Sequence, residues 1–364
     1  MRYKIKDVAK INERAINKKY NGTINYIDTS SVTDNIFNNP KVYSSIKEAP
    51  SRARRVANLG DTIISTVRPN MKHTGFIDKV KYKNCIYSTG FAVVTPLKDR
   101  VDPFYLYLVL TNNKNTELLQ SIGETSTSTY PSVKPSDIEN LEHDFPNINK
   151  QKEISTTIKM LENKIYLNNK INTNLKLLKT AIFNNMFNSK LLNNLNGKLA
   201  DIAKIQTGKR PISRSSTYNN ENKYPIVGAS KIMGYTNSYN IDDSIITTGR
   251  VGTHGIIQRF REPVWISDNS FIFTSHYEDY LYEILKNRIN YTSLNRGSTQ
   301  PLITQTDLKN IDIYVPTDEE HRQFKTLIYP ITNIEFTLNN EQHKLFKIKN
   351  LLLNKFFNSS KLTN

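Results

Sequence analysis

Two stretches of this chain repeat one another in strict register, and any fold must accommodate both. Pro131 pairs with Pro301, Asp137 with Asp307, Asn140 with Asn310 and Pro146 with Pro316, all at one offset (301 − 131 = 170). Fifty residues on the offset has not slipped, since Leu175, Lys179 and Phe187 meet Leu345, Lys349 and Phe357. The segments between carry helical spacing, so the chain is two equivalent units, each closed by a helix of equal length. Such a chain suits a partner touched twice at a fixed separation.

The duplication extends upstream. Lys4 to Ile11 parallels Lys198 to Ile205, with apolar residues at 5, 8 and 11 and at 199, 202 and 205. That spacing predicts a short amphipathic helix opening each copy, stopped in the second by Gly208. Asp61 to Arg68 parallels Asp243 to Arg250, and Tyr87 to Val94 parallels Ser267 to Thr274. These β-branched and aromatic runs bounded by turn residues predict buried strands. Phe104 to Leu119 and Tyr280 to Ile289 follow as helices. The offset falls from 194 at the opening (198 − 4) through 182 (243 − 61) to 170, so the first copy carries extra residues. They are expected in the polar stretch from Thr29 to Ser51, as loop.

In the closing segments, Ile154, Ile158, Leu161 and Ile165 have coiled-coil spacing. Asn168 and Asn172 interrupt the stripe before Leu175, Leu178 and Ile182 restore it. Phe324, Ile328, Ile331, Leu338, Leu345, Ile348 and Leu352 mark the second stripe. With no Pro or Gly between Lys150 and Phe187, the first helix can run about 55 Å. Pro330 should kink or delay the second. Neither stripe can be buried within one small unit, so the helices are expected to pack on each other, antiparallel. The expectation is an α+β fold: two similar mixed α/β globular units separated by two long antiparallel coiled-coil helices, with internal pseudo-two-fold symmetry. The boundaries fall at 1–149, 150–189, 190–317 and 318–358, with a disordered tail at 359–364.

A formal net charge of +17 points to a polyanionic partner, nucleic acid first, although a coding bias toward Lys and Asn produces the same excess. One cysteine, Cys85, excludes an intrachain disulfide and a thiolate metal cluster. The N-terminus lacks a signal-peptide apolar region and no segment is long and apolar enough to span a bilayer, so the reading is a soluble cytoplasmic protein without a membrane partner. Catalytic signatures are missing. Gly208-Lys209-Arg210 is not a phosphate-binding Walker loop, the six histidines lack metal-ligand spacing, and Asn38-Asn39-Pro40-Lys41 is not the tetrapeptide of amino-methyltransferases. Asp279, Glu283 and Lys286 read as a solvated helix face.

Binding residues can be nominated. Arg52, Arg54 and Arg55 in the first copy and Lys209, Arg210 and Arg214 in the second form basic, flexible loops suited to phosphate. Arg68, Lys72 and His73 follow one matched strand, as Arg250, Thr253 and His254 follow the other, each set beside a Gly that permits close backbone approach. Tyr130, Lys231, Arg296 and Gln300 complete the set. For every one, solvated charge or a structural turn remains the alternative.

The order of these parts resembles the specificity subunit of type I restriction-modification systems. It is carried by Gly297 to Pro301 with Leu308 to Pro316, the looser Thr129 to Pro146, and the helix endings Leu175 to Phe187 and Leu345 to Phe357. The resemblance implies two target-recognition domains, each reading half of a split double-stranded DNA sequence, with spacer helices measuring the gap. It implies docking of two modification subunits that carry S-adenosylmethionine and methylate adenine, and of restriction subunits that use ATP and Mg. It implies no cofactor, metal or catalysis in this chain. A nuclease with an unfamiliar site, or a basic adaptor for RNA or protein, would be the other classes.

Overall fold

The computed structural model describes residues 2–17, 19–126, 130–296 and 301–357; the expected tail at 359–364 and Gln300 lie outside them. The chain forms two compact units, one of residues 1–167 with 342–364, the other of 168–341. Each long helix therefore contributes to both.

In the first unit, a four-stranded sheet runs in the order Ala9–Ile11, Phe91–Pro96, Thr62–Ser65, Thr74–Phe76, all antiparallel. Its middle strands are apolar on both faces because both faces are covered. Ile63, Phe91 and Val93 point into one core with Ile27 and Tyr87. Ile64, Ala92 and Val94, one residue out of phase, point into another with Phe104, Tyr105, Ile154 and Ile158. A second sheet, in the order Lys41–Tyr43, Ile24–Ile27, Ile86–Ser88, Ala53–Val56, covers the first core.

The second unit repeats this frame. Lys204–Thr207, Ser270–Thr274, Ile245–Gly249 and Gln258–Phe260 make the main sheet, and Ile232–Thr236, Tyr224–Val227 and Trp265–Ile266 the other. The alternation recurs: Ile245 and Ile272 face one core, Ile246, Phe271 and Phe273 the other. Both units pair a strand in parallel across the copy, Ile24–Ile27 with Ile86–Ser88 and Tyr224–Val227 with Trp265–Ile266.

Several expectations are corrected. The opening helices are single turns, Ile5–Val8 and Leu199–Ile202, in which Asp7 and Asp201 accept the N–H of Lys4 and Lys198. Ile11 and Ile205 lie on the strands that follow. Gly208 stops no helix. It follows a strand, and a Cβ there would collide with the Ser267 carbonyl oxygen, so the backbone approach requires glycine. Each second β-branched run is two strands around a turn, at 89–90 and 267–269. The insertion at 29–51 is not plain loop: Val32–Thr33 pairs with Ile36–Phe37, and Lys41–Tyr43 extends a sheet. Of the three residues of the Glu278–Asn287 helix expected in water, Lys286 is exposed, whereas Asp279 is half-buried on Arg259 and Thr332 and Glu283 is buried, accepting from Thr180 and Asn287.

The first long helix spans Ile148–Asn193, 46 residues or about 69 Å, longer than expected at both ends. Asn147 caps it by accepting the Lys150 N–H, and no Gly or Pro intervenes before Gly197. The second spans Asp318–Phe357, started by a reciprocal pair in which Thr317 Oγ1 accepts from the Glu320 N–H and Glu320 accepts from the Thr317 N–H. Pro330 neither delays nor interrupts its helical run. Pro330 and Thr326, whose carbonyl loses its helical donor, both lie on the exposed face of the helix, so that carbonyl is not left in the core.

Within the first unit the long helices meet through Leu161 and Leu352, which pack on one core, and through a Lys349–Glu162 ion pair at 2.6 Å. Ile154, Ile158 and Ile165 are buried, and Leu345 is half-buried. Within the second unit, Phe183, Phe187, Phe324 and Ile328 are buried together with Ile182 against them, and Leu175, Ile331 and Leu338 are half-buried. Leu178 and Ile348 face outward. The residues after them, Lys179 and Lys349, take the inward positions, and Asn168 and Asn172 lie inside the seam rather than interrupting it.

Candidate nucleic-acid interface

In the first unit four segments converge at one end of the main sheet. The Thr89 N–H bonds to the Arg52 carbonyl at 2.8 Å, the Thr66 N–H to the Gly90 carbonyl at 2.8 Å, and the Arg68 N–H to the Pro131 carbonyl at 2.8 Å. Val67 bridges Ser132, so the repeated proline segment is stitched to the loop after the matched strand. Arg68, in the left-handed conformation (φ 50°), holds its guanidinium 4.1 Å from the centroid of the Tyr130 ring. This stacked cation beside an exposed ring suits a sugar-phosphate edge.

The second unit builds the same cluster. The Lys209 N–H bonds to Ile266, the Arg250 N–H to Asn269 at 2.8 Å, the Gly252 N–H to Pro301 at 2.9 Å and the Ile303 N–H to Arg250 at 3.1 Å. Val251 bridges Leu302 where Val67 bridges Ser132. Gly249 is packed so closely that a Cβ would meet the Thr253 carbonyl and Ala229, which brings the turn carrying Lys231 to the same edge. Lys209, Lys231, Arg250 and Thr253 are thereby gathered.

Not every nominated residue is free to act. Arg54 and Arg55 are on the strand Ala53–Val56, half-buried, with Arg54 donating to the Ala53 carbonyl. Lys72 donates to Asn113 Oδ1 at 3.1 Å, and Arg214 to the Met233 carbonyl at 2.8 Å. His73 Nδ1 lies 2.8 Å from the Val32 carbonyl, and His254 Nδ1 3.1 Å from the Gly249 carbonyl, so both histidines staple their own loops. Gly75 is filled by Phe37, not left open for a ligand. Arg296 is paired to Asp307, whose carboxyl is lowered first by the Thr304 hydroxyl and then by Arg296. Among the described residues, no hydrogen bond or ion pair engages the side chains of Arg52, Lys209, Arg210 or Lys231, and Arg52, Lys209, Arg210 and Lys231 are exposed.

The turns 89–90 and 267–269 sit at the centre of each cluster and were not expected from the sequence. Thr89-Gly90 and Ser267-Asp268-Asn269 are turn residues, but the apolar runs on either side made each look like one strand. Among the described residues there is no group of His, Cys, Asp and Glu fit to hold a metal, and no helix long and apolar enough to cross a membrane. What two basic, backbone-stitched loop clusters can do is hold a polyanion.

A model of the type I restriction modification DNA specificity domain matches residues 1–177 and again 194–350. The chain belongs to that family. The two matches coincide with the two copies of the frame. The chain is 29% identical over 185 residues to the type I restriction enzyme HindI specificity subunit of Haemophilus influenzae, an overlap of 51% of this chain and 40% of that protein's length. It is 24% identical over 312 residues to the type I restriction enzyme MjaIX specificity subunit of Methanocaldococcus jannaschii, covering 73% and 70%. In fold it is similar to the crystal structure of the type I restriction-modification S subunit from M. genitalium, with a TM-score of 0.65 at 15% identity over 100% and 96% of the two chains.

Proposed function

We propose that this chain is the non-catalytic, DNA-reading specificity subunit of a type I restriction-modification system. Each loop cluster reads one half of a bipartite double-stranded target, with residues 1–149 and 190–317 as the two recognition domains. The long helices act as spacers that set the gap and dock two modification subunits. Those subunits would bring S-adenosylmethionine, and a restriction subunit would bring ATP and Mg. One observation carries the reading: the loop after the matched strand is stitched to the repeated proline segment by the same antiparallel bridge in both units, Val67 to Ser132 and Val251 to Leu302, with Arg68 in the first and Arg250, two positions earlier in that register, in the second. The unengaged cations Arg52, Lys209, Arg210 and Lys231 and the stacked Arg68–Tyr130 pair supply phosphate and base-edge contacts. Different loops on equal frames give two different half-sites.

The test is a methylome. Co-expression with the adjacent modification subunit in a methylation-free host should yield a split adenine motif with one gap, absent without this chain. Replacing residues 1–149 by another recognition domain should change one half-site alone. A folded, S-adenosylmethionine-bound partner that methylates no motif sinks the proposal in favour of an adaptor.

A further inference from the structure

The loop that leaves the strand Lys204–Thr207 displays an isoleucine to solvent. Ile212 is 88% exposed, more than any other large apolar side chain among the described residues. A single exposed apolar residue is ordinary on a protein surface. What sets this one apart is that its position is fixed. On one side, the Lys209 N–H donates to the Ile266 carbonyl at 3.0 Å, and Trp265 Nε1 donates to the Lys209 carbonyl at 2.8 Å. On the other, the Ser213 hydroxyl lies 2.9 Å from Thr236 Oγ1, Arg214 donates to the Met233 carbonyl, and Ser215 exchanges both backbone bonds with Tyr235 at 2.8 Å. Only Arg210, Pro211 and Ile212 lie between these anchors, and the proline ring fixes its own φ. The loop that leaves Ala9–Ile11 in the first unit folds down instead, so that Ala15 bridges Arg55 and Ile16 packs with Ile24 and Tyr26. One copy packs an isoleucine from this loop; the other presents one.

The surroundings define what such a tip can meet. Lys209 and Arg210 stand immediately before it, and Lys231 lies on the turn closed by the Gly228 N–H to the Lys231 carbonyl, all three exposed. An apolar protein groove would have to desolvate those cations. A duplex suits both parts, since its phosphates border a groove floored by base edges. On that floor the apolar group is the thymine C5 methyl. The isoleucine side chain has no donor or acceptor, so it cannot read a hydrogen-bond pattern. It gains against the methyl, whereas against cytosine it shuts the N4 amino group away from water without a partner. Its β-branch restricts χ1, so the reach of the side chain is set in advance.

We propose, on the DNA-reading function given above, that Ile212 is a specificity-determining residue, packing on the C5 methyl of one thymine in the half-site read by the second unit. Lys209 and Arg210 supply the backbone contacts that seat the tip.

The test removes that methyl and nothing else. The methylome of the full-length chain with its modification subunit gives the split motif, and replacement of residues 1–149 marks which half belongs to the second unit. Each thymine of that half, on either strand, is then replaced in turn by deoxyuridine in a duplex probe, and binding of the complex is read by fluorescence anisotropy. One position should weaken the parent complex roughly fourfold, the worth of one apolar carbon taken from water. The same replacement should cost the I212A complex nothing, and the I212A methylome should lose discrimination at that position alone. A half-site without thymine, a parent complex indifferent to every deoxyuridine, or an I212A complex that loses as much as the parent would each overturn the assignment of Ile212 and leave DNA reading in place. A folded, S-adenosylmethionine-bound complex that methylates no motif refutes the DNA-reading function itself, and the role of Ile212 falls with it.

Discussion

Truncating Phe187 to alanine asks whether the end of the first long helix is spacer or core. Its side chain is fully buried, with ring centroids 4.9 Å from Tyr280, 5.3 Å from Phe324 and 5.7 Å from Phe183. Burying such a ring is worth about 2–3 kcal/mol by transfer, and the hole left among three rings that cannot all relax adds more, so F187A should cost about 4 kcal/mol. The ring contacts share atoms with that burial and are not added separately. F187L, which keeps most of the volume, should cost about 1.5 kcal/mol. The assay is urea unfolding followed by fluorescence of Trp265, the single tryptophan, which is buried in the second unit and reports that unit selectively. At about 2 kcal/mol per molar urea, the F187A midpoint should fall by about 2 M and that of F187L by under 1 M. A shift in F187A below 0.5 M by rough bookkeeping, or one equal to that of F187L, would refute the assignment of the helix end to the core.

Three further outcomes are expected. R68A, which removes the cation stacked on Tyr130, should weaken duplex binding and lower the salt-dependence slope by about 1, read by fluorescence anisotropy across a salt series; an unchanged slope argues against phosphate contact. G208A should force the Ser267 turn away and cost about 1–3 kcal/mol in the second unit, so that methylome mapping shows the second half-site degraded and the first intact. Burial acts to raise Glu320, yet Lys190, Tyr314 and Thr317 outweigh it and hold the carboxyl at about 2 against 4.5 unperturbed. That stability is present above 4.5 and is lost as pH falls toward 2, so the difference in urea midpoint between the parent and E320Q should vanish across that window; a constant difference would assign Glu320 no ionic role.

Much was legible because it repeats or is periodic. The constant offset, the β-branched runs and the helical stripes follow from local patterning, and they led to two mixed units with two long helices, now matched by two copies of one domain family. Composition and the missing signatures pointed to a polyanion and away from catalysis. Three things lay beyond the sequence because each depends on residues far apart in the chain. Whether a polar residue in a stripe breaks a seam or sits inside it depends on the partner helix: Asn168 reads as an interruption until Glu341 is opposite. Whether a histidine in a loop contacts a ligand or staples the loop depends on carbonyls elsewhere, Val32 for His73 and Gly249 for His254. Whether Gly208 ends a helix or makes room depends on the Ser267 carbonyl pressing against it. Sequence by itself determined the elements and their duplication, since hydrophobic period and turn chemistry are local. Tertiary structure alone decided which charges are taken up by partners within the chain and which face of each helix is buried, since desolvation and pairing are settled only once distant segments meet.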